Sequence, residues 1–122
     1  MYGQALEAKE TDMTKAEEAY KKAVEIDPKF ADGWYNIGRL YFNQGVTAND
    51  KANAIPLNDE AGFKDAMDVA DKYFKDGLPF FEKAFEINPN DPILLNALKQ
   101  IYYRFKMNDK LQEVQKRLDN LK

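Results

Sequence analysis

Apolar and small residues recur at steps of three and four through the middle of this 122-residue chain. Ile37, Tyr41, Gln44, Ala48, Ala52 and Ile55 form one stripe, with Gln44 its one polar step. Phe63, Ala66, Met67, Ala70, Tyr73, Phe74 and Gly77 form a second. That spacing places each set on one face of a helix, so both segments read as amphipathic helices. The pattern predicts helices over Thr14–Ile26, Ala31–Gln44 with a prolongation to near Asn53, Asp59–Ile87, Pro92–Lys106 and Asp109–Leu121. Asp91 before Pro92 is a helix start: the carboxylate caps, and proline fits the first turn. Asn58 is the expected cap of the third helix, with Asp59 and Glu60 favourable in its first turn. Pro79 falls inside that helix, removes the bond to the carbonyl of Lys75 and is expected to kink it, with a hinge as the sharper reading.

Repeated phrases organise these helices. Trp34, Ile37, Gly38 and Tyr41 stand in the order W-x₂-L-G-x₂-Y, with Ile for Leu. Ala16, Tyr20, Ala23 and Pro28 are matched by Gly77, Phe81, Ala84 and Pro89, so that "AYKKAVEIDP" and "FFEKAFEINP" read as one element written twice. These residues resemble the tetratricopeptide-repeat (TPR) family, whose unit is a 34-residue helix–turn–helix. The resemblance implies an all-α, TPR-like helical-repeat solenoid: antiparallel helix pairs in a right-handed superhelix, about two and a half repeats long. Pro28 and Pro89 lie 61 residues apart, which leaves 27 beyond one repeat. Between Gly45 and Asp76 stand 30 residues where the family has three, which again leaves 27. One domain over 1–122 is therefore expected. Residues 1–28 are a partial first repeat, 29–89 a second repeat with an insertion at about 46–72, and 90–122 a degenerate capping repeat. Leu98 and Tyr102 keep the family's places there, but Lys99 replaces its glycine. Met1–Lys9 reads as the remnant of a first helix, and the chain as a fragment lacking its N-terminus.

The insertion prolongs the two helices of the second repeat into a hairpin. With Met67 opposite Asn53, the second helix stands about 8 residues, roughly 12 Å, taller. "NAIPLN" covers that height as an extended strap, with Ile55 and Leu57 against Phe63 and Met67. Gly38 is expected to let the helix backbones approach, with Trp34, Tyr41, Phe81 and Phe85 filling the space around it.

Charge and composition narrow the function. The net charge is −3, and no basic run exceeds two residues, as at Lys21–Lys22. Neither suits a phosphate backbone, so no nucleic-acid partner is expected. No apolar stretch approaches a membrane span, so no membrane insertion is expected. The chain has no His and no Cys, which removes Ser-His-Asp and Cys-His catalysis and thiolate or imidazole metal sites. Catalytic residues, cofactor and metal are all expected to be none.

What the family resemblance implies is protein or peptide binding on the concave surface lined by the first helix of each repeat. Carried over by position, that surface offers Asp32, Tyr35, Arg39, Phe42 and Asn43 from the second repeat. From the third it offers Ile93, Asn96, Gln100, Tyr103 and Arg104. Two of the chain's three arginines fall here, and a guanidinium fork suits a carboxylate as Lys does not. Family members that clamp chaperone tails use a two-Lys, two-Asn, one-Arg set. Arg39 and Ala97 depart from it, so this chain is expected not to be one. The second candidate surface is the hairpin tip, Ile55, Pro56 and Leu57.

"NDKANAIPL" and "LPFFEKAFEINPNDP" also resemble a group of bacterial repeat proteins with a comparable insertion. That leans towards an exported or periplasmic setting; the compartment is otherwise unknown. A different class of role is self-assembly, or a structural spacer within a longer repeat protein. Met107, Leu111, Val114, Leu118 and Leu121 form a heptad seam of barely two heptads. A monomer is expected, with this seam packed against the preceding helix.

Overall fold

The computed structural model describes the backbone of residues 2–121 and the side chains of residues 14–121. Met1 lies outside the described residues. Five helices follow one another: α1 (Tyr2–Ile26), α2 (Ala31–Asn53), α3 (Glu60–Ile87), α4 (Pro92–Arg104) and α5 (Asn108–Asn120). There is no strand among the described residues. Each helix packs on the next in chain order, the neighbour-only layering of a helical repeat. The fold is all-α and TPR-like, as the stripes predict. The first helix runs further than expected: Tyr2–Ile26 is one continuous helix, so residues 2–9 belong to it and do not form a separate one.

The α2–α3 pair sets the geometry. A Cβ added at Gly38 would meet the Phe81 ring at 2.8 Å, and one at Gly45 would meet the Phe74 ring at 2.8 Å. Seven residues forward along α2 thus match seven back along α3, the antiparallel register that keeps both stripes in contact. Gly38 therefore makes room for an aromatic ring rather than for a backbone. The close backbone approach occurs at Gly77, where a Cβ would lie 2.9 Å from Tyr41 Cβ and 3.1 Å from the Gly38 carbonyl oxygen. Trp34 and Tyr41 do not pack around Gly38 as expected. They stack on either side of Phe80, at 6.3 and 5.7 Å between ring centroids. Phe81, beside it, faces the other way, towards Tyr35 and Phe42.

By the same register Ala52, fully buried, stands opposite Met67. α3 then continues seven residues past that level and α2 one, an offset of about 9 Å. The segment between them is no extended strap. Ala54 N–H donates to the Lys51 carbonyl and Ile55 N–H to that of Ala52, which tightens the end of α2. Asp59 N–H donates to the Pro56 carbonyl at 3.0 Å, closing a turn over Leu57 and Asn58. Leu57, at the outside of that turn, is 102% exposed and packs on nothing. The cap is Asp59, not Asn58: its Oδ1 accepts from Gly62 N–H at 3.0 Å. α3 runs unbroken through Pro79, whose ring is exposed.

Most of the large, fully buried side chains lie where α4 meets α3: Leu94, Leu95, Leu98 and Ile101, with Phe81 and Ala84 beneath; Ile37 of α2 is the other. Val114 closes this core from α5, and Met107, Leu111 and Leu118 pack on it, so the seam of the last helix is used within the molecule. α4 ends in a Schellman motif: Met107 N–H donates to the Tyr102 carbonyl and Lys106 N–H to that of Tyr103. Lys106 sits at φ 56°, a conformation that suits glycine. Lys106→Gly is expected to stabilise the fold by about 1 kcal/mol. Thermal melting followed by circular dichroism would show it as a Tm rise of about 4 °C; an unchanged or lower Tm would contradict it.

Candidate functional site

A cleft of about 370 Å³ opens between α2 and α4 over α3. Its walls are Phe42, Val46 and Asn49 from α2, Phe74 from α3, and Gln100, Ile101, Tyr103 and Arg104 from α4. Of the residues expected on the concave surface, Phe42, Gln100, Tyr103 and Arg104 are brought together here. Phe42 is held edge-on to Phe74 and Phe81, at 5.3 and 6.1 Å between centroids. Tyr103 is 74% exposed, with its ring at the mouth.

The other expected residues do not line the cleft. Asp32, Arg39 and Asn43 are exposed further along α2. Arg39 makes no hydrogen bond or ion pair among the described residues, so its fork faces solvent. Tyr35 is half-buried against Phe81. Asn96 donates to the Pro92 carbonyl at 2.9 Å, and Ile93 is exposed at the start of α4. At the tip, Ile55, Pro56 and Leu57 border a separate hollow of about 310 Å³ with Asn53, Glu60 and Phe63.

The two arginines differ in a way their spacing does not reveal. Arg104 Nε donates to Asp71 Oδ1 at 2.6 Å and Nη1 to Asn49 Oδ1 at 3.0 Å. Its guanidinium lies 4.7 Å above the Phe74 ring centre. The fork expected to await a ligand is occupied by the protein: it fastens the end of α4 across α2 and α3 together. Asn49, Asp71 and Val46 were missed from the sequence. Val46 and Asn49 continue the Tyr35–Arg39–Phe42 stripe by one and two turns, so extending that stripe past Gly45 finds them.

Successive helices are also joined by two tyrosine–carboxylate bonds. Tyr41 donates to Glu17 at 2.5 Å and Tyr102 to Glu82 at 2.8 Å. Burial and the bond to Glu17 push the Tyr41 hydroxyl up to about 12. Burial and Glu82 raise that of Tyr102. For Glu17, burial works upward, but the bonds from Tyr41 and Lys21 outweigh it and leave the carboxyl lowered.

Trp34 Nε1 donates to the Pro28 carbonyl at 2.9 Å, fixing the turn between α1 and α2. Comparison with known proteins places a match to the family "TPR repeat" on this stretch, residues 12–45. The chain is also 26% identical over 92 residues to the "Anaphase-promoting complex subunit 3" of Schizosaccharomyces pombe. That alignment covers 75% of this chain and 10% of the relative, so the chain spans about a tenth of that protein's length. Motif, helix layering and comparisons agree on a TPR-like repeat module, the class of fold that mediates contacts between proteins. No helix among the described residues is long and apolar enough to cross a membrane.

Proposed function

We propose that this chain is a non-catalytic interaction module that holds a protein or extended peptide on its concave surface, between α2 and α4. The observation that carries this is the α2–α4 cleft, where Phe42, Gln100 and exposed Tyr103 converge at the place the repeat architecture presents to partners. Aromatic walls suit apolar side chains, and Gln100 suits a peptide backbone. Arg39, unpartnered further along α2, suits a carboxylate; Arg104 acts as a fixed wall of the site.

Affinity capture from a lysate of the source organism, with the immobilised chain, tests this. A specific partner is expected that binds at least about tenfold more weakly to the Arg39→Ala/Tyr103→Ala variant. Both side chains are exposed, so the variant keeps the fold. Equal binding by both forms would remove the concave surface from consideration. A second reading is a spacer within a longer repeat protein. It is favoured by the relative, whose matched segment is a tenth of its length and whose name makes it a subunit of a complex. On that reading neither form captures a partner.

A further inference from the structure

The α2–α3 seam does not end where α4 ends. Arg104, in the last turn of α4, reaches Asn49 of α2 and both Asp71 and Met67 of α3, so α4 is seated over the seam to that level. Beyond it the chain turns away through Lys106 into α5. The seam itself runs on for several residues of α2 and about two turns of α3. On that flank Val46 and Phe63 are each 40% exposed, and Leu57 stands wholly in solvent. The α2–α4 cleft opens at its lower end and the hollow bounded by Ile55, Leu57 and Phe63 at its upper end.

The charge of this region is as uneven as its polarity. Residues 46–72 hold Asp50, Asp59, Glu60, Asp65, Asp68 and Asp71 against Lys51, Lys64 and Lys72. Their net charge of −3 equals that of the whole chain, so the remaining residues are neutral in sum. Glu60 borders the upper hollow and Asp50 stands one turn beyond Val46. Asp68 lies one turn from Asp71, whose charge Arg104 answers, and Lys64 one turn from Asp68, so the free acidic groups of the rim are Glu60, Asp50 and Asp68 against Lys64.

We propose that this flank of the hairpin, from Val46 past Phe63 to Leu57, receives a basic amphipathic helix of another protein, lying along α2 beside the last turn of α4 and on past its end. The shape of the seam selects a helix. It is the groove between two antiparallel helices; lower down α4 lies over it with Arg104 on the Phe74 ring, and the cleft at Val46 stays open between α4 and α2. The two hollows lie along α2 at Val46 and Asn53, seven residues or about 10.5 Å apart. Apolar side chains at i and i+7 of a docked helix have the same separation and enter one hollow each. The acidic rim favours Lys and Arg on the flanks of that helix and accelerates its capture. The proposal rests on the reading of the chain as an interaction module and names the chemistry of its partner.

The test is a phage-displayed library of random peptides of about 16 residues, panned on the complete chain. Enriched peptides are expected to carry net positive charge with apolar residues at i, i+3 or i+4, and i+7. A synthetic winner should gain helix on binding and weaken as salt rises from about 50 to about 300 mM. Leu57→Asp and Phe63→Asp should each reduce its affinity at least about tenfold. Leu57 touches nothing, so its variant folds as the parent does. Enrichment of acidic or neutral peptides, equal binding by both variants, or no enrichment would overturn the proposal. Peptides that lose affinity on Tyr103→Ala but not on Leu57→Asp would also overturn it, while leaving the concave-surface reading standing.

Discussion

Replacing Phe81 by Ala is expected to lower the folding free energy by about 4 kcal/mol, the largest effect of any single side chain here. Phe81 is 1% exposed, meets α2 and shares a core with α4. Its ring lies on the bare backbone of Gly38, and meets Tyr35 and Phe42 from α2. Leu94, Leu95 and Leu98 of α4 belong to the same core. Truncation opens a cavity between α2, α3 and α4, where neither α2 nor α4 can move in without leaving its other partners. The reciprocal change, Gly38→Ala, inserts a Cβ 2.8 Å from that ring and should cost about 2 kcal/mol despite alanine's better helix propensity. The two sites are coupled. Phe81→Leu in the Gly38→Ala background should be milder than the sum of the single changes by about 1 kcal/mol. Urea unfolding of the parent, Phe81→Ala, Gly38→Ala, Phe81→Leu and the double variant checks all three expectations. A loss below about 1.5 kcal/mol for Phe81→Ala would mean that the core closes around the gap.

Arg104→Ala is expected to cost about 2 kcal/mol, more than a surface ion pair supplies. Asp71 is 44% exposed and would contribute little by itself. The remainder comes from the bond to Asn49 and from the guanidinium stacked on Phe74, which one planar group makes at once. Arg104→Lys should recover less than half of the loss, because an ammonium cannot reach both oxygens while lying flat on the ring. Asp71→Asn, which keeps a hydrogen-bond acceptor, should cost less than Arg104→Ala. Denaturant unfolding measures these differences. Full recovery by lysine would show that charge alone matters and that the fork does not.

The two predictions mark where local pattern sufficed and where it did not. The stripes Ile37–Ile55 and Phe63–Gly77 were legible because a buried helix face repeats every three or four residues whatever it packs on. Gly38 was legible as a tight place, but whether it received a ring or a backbone depends on the register of α3 against α2, and no local spacing carries that. Arg104 was legible as a concave-surface residue. Its engagement was not, because Asp71 and Asn49 lie 33 and 55 residues away in sequence. Leu57 was misjudged for a related reason. Proline was read as extending its neighbour, but a hydrogen bond across Pro56 and Asp59 folds the strap into a turn and throws Leu57 outward. The candidate surface was therefore half visible: the α2 stripe and Tyr103 belong to single helices, whereas the cleft belongs to the angle between two.

The tyrosine–carboxylate bonds between successive helices have a consequence for how the module behaves in different surroundings. Tyr41 contributes stability that is whole below its ordinary value of 10.0 and is lost as pH climbs towards about 12. Glu17, lowered, contributes stability that is whole above its ordinary value of 4.5 and is lost only in acid. Tyr102 is displaced in the same direction as Tyr41. The chain has no histidine to titrate in between. The joints of the stack thus keep one protonation state throughout the neutral range, and acidification of a cellular compartment to mildly acidic pH leaves them as rigid as before.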